Sequence, residues 1–236
     1  MTLDADKRSA PSLGSDQRRI LVVNAKGGCG KTTLTTNIAA RYATLGATTV
    51  LVDHDPQGSA SRWLDARNET RPAITGIAPW KDGATTRSFQ MRRTVDADRV
   101  VIDTPAALSA IDLGRWLGEA DRVLIPVMPS AIDMKAGARF IGDLLLNRDF
   151  RRRPLPIAVV ANRVRRNTRG FTKLERFLIS LDIPFIATFR DLQGYVHAVE
   201  TGDGLSELRP DPTEDAALSR LLEWLEAPAR PRQASA

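Results

Sequence analysis

Six short runs of this chain are apolar almost from end to end, and helical patterns fall between most of them. The runs are RRILVVN (18–24), TTVLVD (48–53), RVVID (99–103), RVLIPV (122–127), LPIAVVAN (155–162) and PFIATF (184–189). A strand with one face in water alternates apolar and polar residues, whereas a strand covered on both faces does not. After the first run, Leu34, Ile38, Ala39, Tyr42 and Leu45 form one helical stripe, closed by Gly46. Further helical patterns cover 108–119, 131–147, 168–181 and 213–226. This alternation predicts an α/β fold: a single doubly wound, mostly parallel sheet with helices on both faces. Ligands in such sheets bind beyond the carboxyl ends of the strands. A short strand is expected near 74–77, and the rest of 69–98 carries little pattern. One domain is expected over 18–227, with polar tails at 1–17 and 228–236 read as disordered.

Composition narrows the classes. The chain has 236 residues, 42% apolar and 26% charged, the balance of a globular protein with a real core. No apolar run approaches the ~20 residues of a membrane span. The first residues lack the apolar stretch of a secretory signal, so a cytoplasmic protein is expected. With one cysteine, Cys29, a single chain can build no disulfide framework and no multi-cysteine metal site. The net charge of +6 is uneven. Between Arg139 and Arg190 twelve Lys/Arg stand against four Asp/Glu, a surplus of eight. Such a region fits a polyanionic partner or a solvated arginine-rich surface, and charge alone does not choose.

The chemistry gathers at strand ends. Lys26-Gly27-Gly28-Cys29-Gly30-Lys31-Thr32 joins the first strand to the first helix. Glycines let backbone N–H groups close round phosphate oxygens, and the helix N-terminus adds a positive dipole. Lys31 is placed to reach the outer phosphates, and the Thr32 hydroxyl to bind Mg²⁺. The common pattern has glycine where this chain has Ala25. Asp53 and Asp55 follow the second strand, and Asp103 closes the run that starts at Arg99. Aspartates there commonly hold a nucleotide-bound Mg²⁺. His54 and His197 have no metal-spaced partner, and the four tryptophans form no evident stacking platform.

KGGCGKTT, VDHDPQGSA and VVIDTPA together resemble the ParA/MinD family of P-loop ATPases (SIMIBI class), whose deviant phosphate loop carries a second lysine. The resemblance runs from about Arg18 to about Glu226. It implies ATP and Mg²⁺ as ligands and ATP hydrolysis as the activity. Lys26 would reach the phosphates of ATP held by the other subunit of a homodimer, while Lys31 binds its own. Asp55 would orient the attacking water, and Asp53 and Asp103 would stand around Mg²⁺ with Thr32. Gly27, Gly28, Cys29 and Gly30 would line the phosphates, Thr33 would lie near the α-phosphate, and Asn162 would read adenine. The family's Pro-Pro-Ser after the metal-side aspartate is here Pro105-Ala106-Ala107.

DPQGSASRWL and DRVLIPVMPSAIDMKAG resemble segments of the short, ParF-type branch. That branch implies non-specific double-stranded DNA as a partner and association with the nucleoid. Arg163, Arg165, Arg166, Arg169 and Arg190 are the candidate contacts, with Arg151–Arg153 a second run. The resemblance also implies a ParB-like or cargo-adaptor protein that stimulates hydrolysis. The cargo could be a plasmid, a chromosome region or an organelle such as a carboxysome. One alternative is a MinD-like ATPase on the membrane, but the last helical pattern pairs its apolar stripe with an acidic face, which anionic lipid repels. A P-loop metabolic ligase is another.

Overall fold

A computed structural model describes residues 13–14, 16–81, 94, 96–165, 168–208 and 210–228. Seven strands form one sheet: β1 (Arg18–Val22), β2 (Thr49–Asp53), β3 (Ile74–Ile77), β4 (Arg99–Asp103), β5 (Arg122–Val127), β6 (Ile157–Val164) and β7 (Phe185–Arg190). Their spatial order is β3-β2-β4-β1-β5-β6-β7, and every pairing is parallel. The expected α/β class holds. β4 and β5 coincide with their apolar runs, the other four strands lie within two residues of theirs, and the short strand at 74–77 forms one edge.

Two cores explain why the strands read as apolar throughout. On one face Leu21, Val50, Val100, Val123 and Val159 pack against α3 (Ala110–Glu119), α4 (Ala131–Leu146), α5 (Arg148–Arg152) and α6 (Arg169–Ile179). On the other, Ile20, Val22, Leu51, Val101, Leu124 and Val160 meet α1 (Lys31–Thr44), α2 (Ser59–Ala66) and α9 (Pro212–Glu226). Successive strand residues point to opposite faces, so both must be apolar when both faces are covered. Two further helices, α7 (Gln193–Thr201) and α8 (Leu205–Leu208), lie between β7 and α9.

In α9, Ala217, Leu218, Leu221, Leu222 and Leu225 are all buried in the second core. Its apolar face is therefore occupied within the molecule. No helix among the described residues is long and apolar enough to cross a membrane.

Register places the chemistry. Val22 pairs with Asp103, and Asp103 with Asp53, so the end of β1 and both aspartates share one row at the carboxyl edge. The helices that start at this edge are capped differently. Ser109, Ser130 and Thr168 accept backbone N–H bonds at the starts of α3, α4 and α6. No side chain caps α1 or α2, whose N-caps are Gly30 and Gly58.

Candidate nucleotide site

The loop after β1 is braced from below. Asn24, buried at the strand end, donates to the Pro126 carbonyl at 2.8 Å and accepts from the Lys26 N–H at 3.0 Å. The Lys26 carbonyl then receives both the Cys29 thiol (3.2 Å) and the Lys31 ammonium (3.3 Å). Lys31 is only 7% exposed, and neither loop lysine has a carboxylate partner among the described residues. A buried ammonium held by a carbonyl, at the start of an uncapped helix, is a site built for an anion. Burial pushes the Cys29 thiol up, against the pull of nearby Lys31, so it stays protonated near neutral pH.

Asp103 lies behind this loop, fully buried. Thr32 donates to its Oδ2 at 2.7 Å and Thr35, one turn further along α1, to its Oδ1 at 3.3 Å. Burial pushes the Asp103 carboxyl up to about 7; the Thr32 bond opposes the rise and the charge of Asp53 adds to it. A hydroxyl and a carboxylate this close offer hard oxygen donors only, which suits Mg²⁺. The residues fit the ion, and a cation there would relieve the cost of the buried charge.

Asp53, 1% exposed, has both oxygens engaged. Oδ2 accepts from the Ser61 N–H (2.8 Å) and hydroxyl (2.7 Å), and Oδ1 from the Asp55 N–H at 3.1 Å. It thus ties the start of α2 and the turn carrying Asp55 to the sheet edge. Asp55 itself is half-buried, and its Oδ1 accepts from the Gln57 N–H at 2.9 Å. Between them, His54 stacks on Trp116 with centroids 5.0 Å apart. Burial, then the charge of Arg115, lowers its pKa to about 4, so the ring is neutral. Ala106, in the altered Pro-Ala-Ala segment, faces Gly27 of the loop.

Gly27, Gly28 and Gly30 line the loop, and Thr33 follows Thr32 in the first turn of α1. Asn162, from β6, reaches the Cys29 carbonyl at 2.9 Å. The fold therefore brings Lys26, Lys31, Thr32, Asp53, Asp55, Asp103 and Asn162 to one edge. Sequence spacing gives no role to four residues that brace them: Asn24, Thr35, Ser61 and, although it lies within VVIDTPA, Thr104, whose hydroxyl donates to the Val22 carbonyl at 2.9 Å. Thr35 lies one turn beyond Thr32, the only hint in the sequence.

The candidate DNA-binding arginines divide. Arg163 and Arg165 both pair with Asp191, at 3.3 and 3.1 Å. Arg190 binds Asp211 and the buried Glu214, two carboxylates for one guanidinium. Arg169 stands exposed at the start of α6, and Arg151 and Arg152 are exposed on α5. Arg166 lies outside the described residues.

An open phosphate loop at the carboxyl edge of a parallel sheet, with a hydroxyl–carboxylate pair behind it, defines a P-loop nucleotide-binding protein. The model of the CobQ/CobB/MinD/ParA nucleotide binding domain matches residues 20–204, and the chain belongs to that family. It is 29% identical over 190 residues to the maintenance of carboxysome distribution protein A of Halothiobacillus neapolitanus, covering 80% of this chain and 87% of that one. It is 31% identical over 158 residues to the chromosome-partitioning ATPase Soj of Thermus thermophilus, covering 56% and 63%. Among solved structures, the MinD cell division protein of Aquifex aeolicus superposes with a TM-score of 0.69 at 18% identity, over 92% of this chain and 100% of that one. An ATP complex of McdA from Cyanothece gives 0.68 at 18% identity, over 90% and 96%. At such identity the structures speak for the fold alone.

Proposed function

We propose that the protein is an ATP-driven positioning ATPase of the partition type, hydrolysing ATP to ADP and phosphate. The observation that carries this reading is the buried Lys31 ammonium at the uncapped start of α1, beside a second lysine in the same loop. Lys31 and the N–H groups of the loop bind the phosphates. Thr32 and Asp103 hold Mg²⁺, which when bound neutralises phosphate charge. Asp53 holds the Asp55 turn, and Asp55 orients the attacking water. Lys26 meets the nucleotide of a second subunit, so the two-subunit state and hydrolysis are coupled. The names of the relatives, concerned with carboxysome distribution and chromosome partitioning, support a positioning role.

The dimer then binds double-stranded DNA without sequence readout, through Lys/Arg near phosphates. A ParB-like or cargo-bound adaptor stimulates hydrolysis and releases it, which places the protein in the cytoplasm on the nucleoid. A MinD-like membrane attachment through α9 is opposed by the burial of its apolar face. Binding to arbitrary duplex DNA tests the reading, with ATP, with ADP and without nucleotide, across a salt series. Binding is expected with ATP only, to weaken steeply with salt and to vanish in Lys26→Ala. ATP-loaded protein that ignores DNA at low salt would remove the mechanism.

A further inference from the structure

The turn that carries Asp55 is bonded from within and covered from outside. Asp53 Oδ1 receives the Asp55 N–H at 3.1 Å, and Asp55 Oδ1 receives the Gln57 N–H at 2.9 Å. The Asp55 carbonyl closes the turn by accepting from the Gly58 N–H at 2.8 Å. Gly58, at φ 65°, then opens α2, and its carbonyl accepts from the Arg62 N–H at 2.9 Å. The outer side of Gly58 is met by Trp80. A Cβ on this glycine would lie 2.9 Å from Cζ2 and 3.1 Å from Cη2 of the indole, with Arg62 Nη1 next at 3.8 Å.

Trp80 follows β3, and β3 lies parallel to β2 with Ile77 beside Val52. The loop bearing Trp80 and the turn bearing Asp55 therefore leave the sheet side by side at the carboxyl edge. The other three tryptophans serve the cores: Trp63 and Trp116 are buried in them and Trp224 packs against one. Trp80 belongs to neither and is 39% exposed, with the Lys81 ammonium 5.3 Å from its ring centroid. An indole left this far in water gains little from burial, so the core does not explain its place.

We propose that Trp80 is a positioning residue whose ring walls the Asp55–Gly58 turn and thereby fixes the Asp55 carboxylate. The inference rests on the role given to Asp55 above. Glycine at 58 admits the left-handed φ and lets the indole reach the backbone, but a glycine is also free to leave that conformation. With no side chain of its own to restrain it, the turn takes its restraint from the ring outside. The phosphate loop follows β1, three strands from β3, so the ring acts on the placement of Asp55 and not on phosphate binding.

The test measures ATP affinity and steady-state turnover in wild type, Trp80→Phe and Trp80→Ala, with a thermal melt confirming that each is folded. Trp80→Ala is expected to bind ATP as wild type does and to lose kcat about 10-fold or more, the scale of a misplaced catalytic group. Trp80→Phe again covers Gly58 with a flat ring and should keep most of the turnover. Without nucleotide, hydrogen exchange at the Gln57 and Gly58 amides should quicken in Trp80→Ala and not in Trp80→Phe. Unchanged kcat in Trp80→Ala overturns the proposal. A loss of ATP affinity that matches the loss of kcat overturns it equally, since the residue then serves the fold or the binding site. Should Trp80→Ala not fold, Trp80→Leu carries the same measurements. Wild-type protein that hydrolyses no ATP refutes the proposed activity, a different failure, and the exchange of the two amides still decides whether Trp80 holds the turn.

Discussion

At Gly30 the backbone takes a left-handed turn and presses on Asn162, so any side chain there meets both strain and a clash. The left-handed conformation alone costs an L-residue about 1–2 kcal/mol. Gly30→Ala is expected to lower the melting temperature and to weaken ATP binding, both measurable on the purified protein. Lys31 and Asp55 separate binding from chemistry. Lys31→Ala removes the buried ammonium, and nucleotide binding should fall below detection in calorimetry. Asp55→Ala leaves the phosphate loop untouched, so ATP should still bind while phosphate release drops at least 100-fold, the scale of a lost proton-handling group. Equal turnover in wild type and Asp55→Ala would take that residue out of the reaction. The motif spacing made these three legible in the sequence. Ser61 was not, because its role depends on Asp53, eight residues earlier on another element.

Among the elements, α9 locks the sheet from behind. Glu226 at its end binds the Arg99 guanidinium through two bonds, at 2.6 and 2.8 Å, and accepts from the Tyr42 hydroxyl at 2.7 Å. Arg99 is fully buried and the Glu226 side chain 6% exposed. Burial pulls the Glu226 carboxyl up, but the bonds from Arg99 and Tyr42 outweigh it and hold its pKa below the ordinary 4.5. A carboxylate depressed in the folded state stabilises the fold above its unfolded pKa, and that stability is lost as pH falls through the folded value. Glu226→Gln leaves the guanidinium buried without its partner, at a cost of about 3–5 kcal/mol near neutral pH. The gap in urea midpoint between wild type and this variant should narrow as the pH falls below 4.5. A constant gap would mean that the pair contributes shape and not charge. The helix was legible from its stripe of leucines. The clamp at its end was not, since it joins residues 127 positions apart.

For the whole molecule the question is which charges face outward. The basic surplus between Arg139 and Arg190 is plain in the sequence, but folding spends part of it internally. Arg190 is matched by Asp211 and Glu214, whereas Arg169 is exposed. Removing Arg169 should therefore reduce the salt slope of DNA binding by roughly one ion contact. Arg190→Ala should instead lower stability, by leaving the buried Glu214 charge with the Tyr195 hydroxyl but no cation, and spare the slope of the folded protein. The reverse result would place the DNA at the β7 end. Both are read from one salt series with ATP present.

By itself the sequence determined the layer order and the phosphate loop. Strands apolar on both faces and stripes at helical spacing are local patterns, and a loop that binds phosphate is written in consecutive residues. Which strands are neighbours, and with that the row of Val22, Asp103 and Asp53, is set by long-range pairing in the folded chain. Folding also decides which arginines are paired and where Asn162 points. Those depend on contacts between residues far apart in the chain, which no spacing along it records.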